Sequence, residues 1–395
     1  MTSRSVDVVI AGGGVVGHAT AWELARRGVE VLTVDRHLPG RATSASAGGL
    51  WPVGEAVGLG CGVIYQAART GSDSGDAVPE SLPEVFRDFL VESNRRFPEL
   101  AEELEDLTGV DIELDSGPGL LFLMQTARQQ SVVDNIARGL PEGFVLEILS
   151  PEEVGELEPA VCSEIVGGAL LPGEDQVNPM LLAEAYKRAA LASGGRLQHD
   201  RLVDEILRED DRVIGVRMGE ETVACDHVVN AAGAWAGQLA ATAGITLPVE
   251  PVRGQVVLTQ SLPPLIASCL STSSCYLAQK RHGEILIGST TEHVGFDTGV
   301  TEEGIRGLCR GAVAAAPALA DVGVKRVWAG LRPGTPDEMP VLGPVADVEG
   351  YINVTGGFRT GIVAAPLMAR VTAQAIVGET PDVAIEPYHA ERFDE

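Results

Sequence analysis

The stretch VDVVIAGGGVVGHATAWELARRGVEVLTVD, residues 6–35, decides the fold. Residues 6–11 are a short apolar, β-branched run suited to a buried parallel strand. Gly12, Gly13 and Gly14 follow at once, and residues 15–27 carry Val16, Ala19, Leu24 and Ala25 at helical spacing. Gly28 is the expected helix stop, and residues 29–34 read as a second strand that ends at Asp35. This is a complete βαβ unit. Within it, Gly12-x-Gly14-x-x-Gly17 lies between strand and helix. The first glycine permits the tight turn, the second lets backbone approach a pyrophosphate, and the third allows close helix–strand contact. The helix N-terminus faces the phosphates with its positive end. Asp35, 18 residues beyond Gly17, is placed to accept bonds from a ribose diol. A cluster of packing glycines is the plainer alternative.

Working outward, residues 41–62 are rich in Gly, Ala and Ser with almost no periodicity and read as a loop packed closely on something. Residues 70–82 read as an exposed excursion. Residues 84–108 have helical periodicity, with Val85, Phe89, Leu100, Leu104 and Leu107 as candidate buried positions. Ser150-Pro151-Glu152-Glu153 is a capping box, and Asn178-Pro179 opens another helix. Residues 212–224 look like a hairpin, and residues 249–260 and 276–288 alternate as antiparallel strands should. Residues 301–315 are helical. Residues 352–362 read as strand, glycine-rich turn and the start of a helix running to Gly378. The pattern is two-domain α/β: a Rossmann-like dinucleotide domain and an antiparallel-sheet substrate domain.

The totals bound the function. The chain has 395 residues, 29 Lys plus Arg against 56 Asp plus Glu, and a formal net charge of −27. A surface that negative repels phosphate backbones and anionic lipid, so neither nucleic acid nor bare membrane is an expected partner. Six cysteines are scattered with no CxxC pair, which excludes an iron–sulfur or thiolate metal site and suggests reduced thiols in a cytoplasmic protein. The histidines form no metal-spaced cluster, so no metal is expected. No run of about 18 uninterrupted apolar residues predicts a membrane span.

The glycine motif alone does not separate NAD from FAD. Arg41-Ala42-Thr43-Ser44-Ala45-Ser46-Ala47-Gly48-Gly49 supplies small residues that let the chain lie against a flat ring system. A second glycine-rich segment, Thr355-Gly356-Gly357-Phe358-Arg359-Thr360-Gly361, precedes the last helix, whose N-terminus can stabilise negative charge on a reduced flavin. A plain NAD dehydrogenase leaves that segment unexplained. Together with Asn230 to Trp235 (NAAGAW), Pro251 to Gln255 (PVRGQ) and Trp328 to Pro333 (WAGLRP), these segments resemble the glycine oxidase and D-amino acid oxidase superfamily of FAD enzymes. Residues 45–64 (ASAGGLWPVGEAVGLGCGVI), 275–292 (CYLAQKRHGEILIGSTTE) and 330–344 (GLRPGTPDEMPVLGP) further resemble the C subunits of bacterial hydrogen cyanide synthases. The β subunits of opine oxidases and hydroxyproline dehydrogenases share parts of them.

The resemblance implies a D-amino acid oxidase type of fold, with an FAD-binding domain from residues 1–82, 147–247 and 325–395 and a substrate domain from residues 83–146 and 248–324. It implies that Val15 and Val16 lie at the pyrophosphate turn and that Asp35, Arg36, Ala42 and Thr43 lie near the adenosine ribose. Ala47, Gly48 and Gly49 would run along the flavin, Val203 would meet the adenine, and Gly233 and Gly357, Phe358, Arg359, Thr360, Gly361 and Ile362 would complete the site. The family's covalent flavin cysteine falls near Gly330, so FAD is expected to be non-covalent. Gly357 departs from the histidine that these proteins commonly carry before the aromatic–Arg pair.

The implied chemistry is oxidation of an amino acid at its C–N bond, by hydride transfer from Cα to the flavin. Arg332 is the implied carboxylate clamp, a planar fork that matches a carboxylate bidentately. Tyr276 is the implied substrate-facing tyrosine, Arg359 sits beside flavin and substrate, and Glu55 and Trp51 line the pocket. Each has a structural alternative: a loop brace for Arg332, a core tyrosine for Tyr276, pairing with Asp337 for Arg359, and loop stabilisation for Glu55. The implied substrate is glycine, oxidised to HCN and CO2, with electrons leaving through partner subunits that carry iron–sulfur centres or a second flavin, FMN, at a subunit interface. Opine, sarcosine and D-proline or D-hydroxyproline dehydrogenase subunits, a self-sufficient oxidase and a catalytically silent assembly subunit stand as alternatives. Membrane association would come only through those partners.

Overall fold

The strand Arg4–Ala11 is buried along most of its length, and one sheet is built around it. The computed structural model describes residues 4–70 and 79–394, and the expected excursion over 70–82 therefore falls largely outside the described residues. Strands Val31–Asp35 and Glu221–Asn230 flank the first strand in parallel. Arg196–His199 extends one side, and Val348–Thr355 continues the other in parallel with Glu221–Asn230. Arg212–Met218 and Glu205–Glu209 add antiparallel hairpins, and the sheet has eight strands. Helices Val15–Ala25, Pro179–Ala192 and Gly361–Val377 cover one face, where Leu24, Leu182 and Leu367 are fully buried. Each such side chain contributes roughly 1.5–3 kcal/mol. The short helix Ala236–Thr242 packs on the other face.

The second sheet is also eight-stranded. Its centre is Glu250–Thr259, Ile285–Gly288 and Tyr276–Gln279, paired antiparallel, and one pairing, Cys269–Ser271 with Leu120–Met124, is parallel. Strand alternation sends successive residues to opposite faces. Leu121, Leu123, Leu277, Ile285 and Ile287 pack under the helix Glu302–Ala315, whereas Leu120, Phe122, Tyr276, Ala278 and Leu286 face Ala47 and Trp51. Both faces are covered, so these strands are apolar on both sides rather than half polar. Among the described residues no helix is long and apolar enough to cross a membrane.

Several local expectations change. Residues 41–62 are not a plain loop: they hold helices Ala42–Ala45 and Pro52–Ala56 and the strand Gly49–Leu50. The second helix forms because the buried carboxylate of Glu174 accepts from Val53 N at 2.9 Å and Gly54 N at 3.2 Å. Residues 84–108 are two helices, Glu84–Asn94 and Phe97–Thr108, so no single 3.6-residue phase runs through them. Val85 and Leu107 are consequently exposed, while Phe89, Leu100 and Leu104 are buried. Sheet membership also cuts across the expected segment boundaries. Glu147–Leu149, Gly167–Leu171 and Val324–Gly334 all join the second sheet, and the 84–108 helices pack into the core of the first. Long-range pairing, which local periodicity does not encode, decides both.

His18 on the Val15–Ala25 helix is 6% exposed. Burial holds its imidazole at about 4, below the ordinary 6.5, against the pull of Asp35. The unfolded chain therefore binds a proton that the native state refuses between those two values, and stability falls as pH drops through that window, by about 3 kcal/mol for a shift of this size. In urea unfolding at pH 7 and pH 4.5, His18→Gln is expected to lose less stability on acidification than the parent. Equal losses would assign the acid sensitivity to other groups.

Candidate active site

The dinucleotide turn is shaped by what a side chain would strike. Gly12 has φ +114°, and a Cβ there would stand 2.3 Å from Ala231 O. A Cβ on Gly17 would stand 2.0 Å from Gly12 O, so the helix rests directly on the turn. The helix that follows has no side-chain cap at Gly14 and no acid in its first turn. Val15 N donates to Thr43 Oγ1 at 3.1 Å. Asp35 closes this end, its carboxylate held by Arg41 at 2.7 Å and by His37 at 3.4 Å. Arg36 and Val203 border the same recess. Arg41 was not singled out from the sequence, although a basic residue six positions beyond the acid is a usable signal.

From this turn a cavity of about 360 Å³ runs past Gly14, Val16, Ala42, Thr43, Ala47 and Gly49 towards the second sheet. Gly233 lines it where the chain leaves the Glu221–Asn230 strand, and buried Asn230 braces that exit by donating to Tyr351 Oη at 2.7 Å and Ala236 O at 2.9 Å. On the opposite side Gly357, Phe358, Arg359, Gly361 and Ile362 line it. Phe358 sits at φ +38°, an unusual conformation for a non-glycine residue that costs of order 1–3 kcal/mol. The helix Gly361–Val377 begins there, again with no side-chain cap and no first-turn acid. Two helix N-termini whose N-cap residues offer no side-chain cap thus face one cavity. Gly48 and Thr360 lie behind its wall. A Cβ on Gly48 would meet Val177 O at 2.0 Å, and Thr360 Oγ1 donates to Gly357 O at 3.1 Å. At Gly357 a Cβ would stand 2.7 Å from Gly361 Cα, so any larger side chain there has no room without a backbone shift.

The far end of the cavity carries the reactive side chains. Arg332, on the Val324–Gly334 strand, donates to Thr290 O at 3.2 Å and to Ser289 Oγ. Among the described residues it makes no ion pair, so a charged fork faces the cavity without a carboxylate. Its guanidinium lies flat on Gly254 of the neighbouring strand, where a Cβ would be 2.4 Å away. Tyr276 lies over Gly288 in the same manner and meets Trp51 edge-on, with centroids 5.8 Å apart at 73°. Burial pushes its phenol well above the ordinary tyrosine value, against the pull of Arg332, so it is neutral.

Arg359 is buried between two carboxylates. It pairs with Glu55 and donates from Nε to Glu338 at 2.8 Å. Asp337 pairs instead with Arg392 at 2.8 Å, so the carboxylate pairing held open as the alternative for Arg359 is met by Glu55 and Glu338 and not by Asp337. Burial alone would lower the Arg359 guanidinium, but Glu55 and Glu338 more than offset it and hold it above its ordinary value. Glu55 also accepts from Cys61 N at 2.8 Å, so it both lines the cavity and braces the 55–61 loop. Glu338 and Cys61 were missed in the sequence because neither belongs to a short motif with a readable role. The charges bordering the cavity are Asp35, Glu55 and Asp204 against Arg36, Arg41, Arg332 and Arg359, so the local balance is one positive charge in a chain of net −27.

The model of a family described as FAD dependent oxidoreductase matches residues 7–375. The chain is 44% identical to hydrogen cyanide synthase subunit HcnC of Pseudomonas aeruginosa, over 99% of this chain and 97% of that protein. It is 42% identical to the HcnC of Pseudomonas protegens, over 99% and 97%. The solved structure of glycine oxidase from Geobacillus kaustophilus superposes with a TM-score of 0.86 at 29% identity, covering 99% of both chains.

Proposed function

This chain belongs to the FAD-dependent oxidoreductase (DAO) family, and on that footing we propose that it is the glycine-oxidising, cyanide-forming subunit of a multi-subunit dehydrogenase. It is an FAD-dependent oxidoreductase. The observation that carries the substrate class is Arg332, a cavity-facing guanidinium without an ion pair among the described residues, beside the neutral hydroxyl of Tyr276. The full-length similarity to HcnC supports the product.

The cavity fits FAD. The recess at Gly12–Gly17 takes a pyrophosphate, Asp35 a ribose, and the Ala47–Gly49 and Gly357–Ile362 segments a flat ring system. When bound, FAD accepts the hydride equivalents. The protein's own residues do the rest. Arg332 binds the amino-acid carboxylate through its planar fork. Tyr276 donates a further hydrogen bond and, with Trp51, walls the site from water. Arg359, already neutralised by Glu55 and Glu338, holds the turn rather than a second substrate charge. Removing two hydrogens from glycine gives iminoacetate, and removing two more gives HCN and CO2. The four electrons leave through partner subunits. The second flavin, FMN, gains no support from the cavity or the relatives and is not part of this reading.

Glycine added to the assembled complex with an artificial acceptor is expected to release cyanide in step with acceptor reduction. Flavin reduction without cyanide would instead favour a dehydrogenase or oxidase of another amine, and hydrogen peroxide from the isolated chain would mark it as self-sufficient.

A further inference from the structure

The chain has three lysines among 29 cationic residues. Two pair at the surface, Lys187 with Glu184 and Lys325 with Glu284 at 2.6 Å. Lys280 differs. Its Nζ donates to Ala47 O at 2.5 Å and to Gln176 Oε1 at 2.6 Å, two neutral oxygens, and among the described residues it makes no ion pair. The strand Tyr276–Gln279 points Tyr276 and Ala278 at Ala47 and Trp51, and Lys280 continues that same face. Gln176 is oriented to receive it, because its Nε2 donates to Asp115 Oδ2 at 3.1 Å and Gln279 O at 3.0 Å. Gln176 is itself register partner to Gly49. Lys280 therefore fastens the segment that forms one wall of the cavity.

We propose that Lys280 is a positioning residue for the flavin: from behind Ala47 it fixes the wall the ring system rests on and sets a positive charge beside it that favours reduction. This rests on the FAD assignment above. A neutral donor would brace a carbonyl equally well, whereas an ammonium also supplies a field. In a medium of low polarity that field reaches the neighbouring ring. The charge is marginal: burial lowers the ammonium to about 8, with Cys269, Asp115 and Glu113 pulling it up. The other ionisable groups nearby leave it little compensated. Glu113 is shared with His282 at 3.1 Å and Asn178 at 3.0 Å, and burial raises both Asp175 and Glu174.

Below about pH 8 the ammonium is charged in both redox states and raises the flavin potential without taking a proton. Above it, the amine is neutral beside oxidised flavin. Reduction adds negative charge to the ring, so Lys280 then takes one extra proton from solvent for each two electrons.

The test is the midpoint potential of the FAD-bound protein from pH 6 to 10, measured by dye equilibration without substrate. The parent is expected to show a steeper pH dependence above about pH 8. Lys280→Met should bind FAD, lose that steepening and lie lower at pH 7 by about tenfold in the reduction equilibrium, roughly 30 mV for a two-electron couple. Lys280→Arg should keep the pH 7 potential and also lose the steepening, because guanidinium does not titrate there. Unchanged potential and slope in Lys280→Met would overturn the proposal. Should the variants not fold, ¹⁵N-lysine resonances of the parent decide: an ammonium whose titration does not move upward on flavin reduction overturns it equally. A parent that binds no FAD would defeat the cofactor reading instead.

Discussion

Replacing Arg332 by alanine is expected to lower kcat/KM for glycine by about 10³-fold while the purified protein keeps its yellow colour. Truncating one partner of a hydrogen-bonded charge pair costs roughly 2–5 kcal/mol, and the loss should appear mainly in KM because the contact exists in the ground state as well as the transition state. Arg332 lies on the Val324–Gly334 strand and bonds to Thr290 and Ser289, not to the Gly12–Gly17 turn, so FAD affinity should stay within a few-fold of the parent. Lysine at 332 should recover only part of the loss, since it lacks the planar fork. Gly254→Ala tests the same geometry without touching the charge: its Cβ would stand 2.4 Å from both terminal nitrogens of Arg332 and must push the guanidinium aside. An FAD-bound Arg332→Ala protein with full turnover would remove the clamp and favour a subunit that holds flavin only for assembly.

The second large effect is on the cofactor. Gly12→Ala should yield a folded, colourless protein with FAD affinity reduced at least about 100-fold. The residue has φ +114°, and the new methyl would stand 2.3 Å from a backbone oxygen and 2.7 Å from its carbon, neither of which can move as a side-chain end can. The turn must open, and the phosphates lose both the backbone approach and the aligned helix N-terminus. Gly28→Ala is the control. It also has positive φ, +82°, but nothing lies within 4 Å of its Cβ, so about 1 kcal/mol of strain and normal FAD content are expected. Equal FAD affinity in Gly12→Ala and the parent, by fluorescence titration, would refute the assignment of the turn.

Both results bear on the acidity of the chain. A net charge of −27 opposes an anionic cofactor and an anionic substrate alike. Surface acids are screened over about 8 Å in physiological salt, whereas the cavity is faced at contact range by two helix N-termini whose N-cap residues offer no side-chain cap and by Arg332, which has no carboxylate partner among the described residues. The acid excess therefore describes the surface and not the site.

Much of the cofactor end, like several helix starts elsewhere in the chain, was readable in the sequence because its determinants are local. A glycine required by positive φ, a helix that begins straight after it, the capping box at Ser150 and the Asn178 cap each depend on a few adjacent residues. Such requirements are written in consecutive positions and survive any tertiary context that tolerates the motif at all. The family resemblance added Tyr276, Arg332 and Arg359, in that order along the chain. What tertiary structure alone decided is which of these groups are neutralised. Arg359 meets Glu55 and Glu338, over three hundred and about twenty residues away in sequence, and not Asp337. Arg332 meets hydroxyl and carbonyl oxygens and keeps its charge for a ligand. Lys280 meets Ala47, 233 residues distant. Periodicity and motif spacing report the face a residue takes on its own element, whereas ion pairing depends on which elements the two sheets bring together, and that is set by long-range strand pairing and burial.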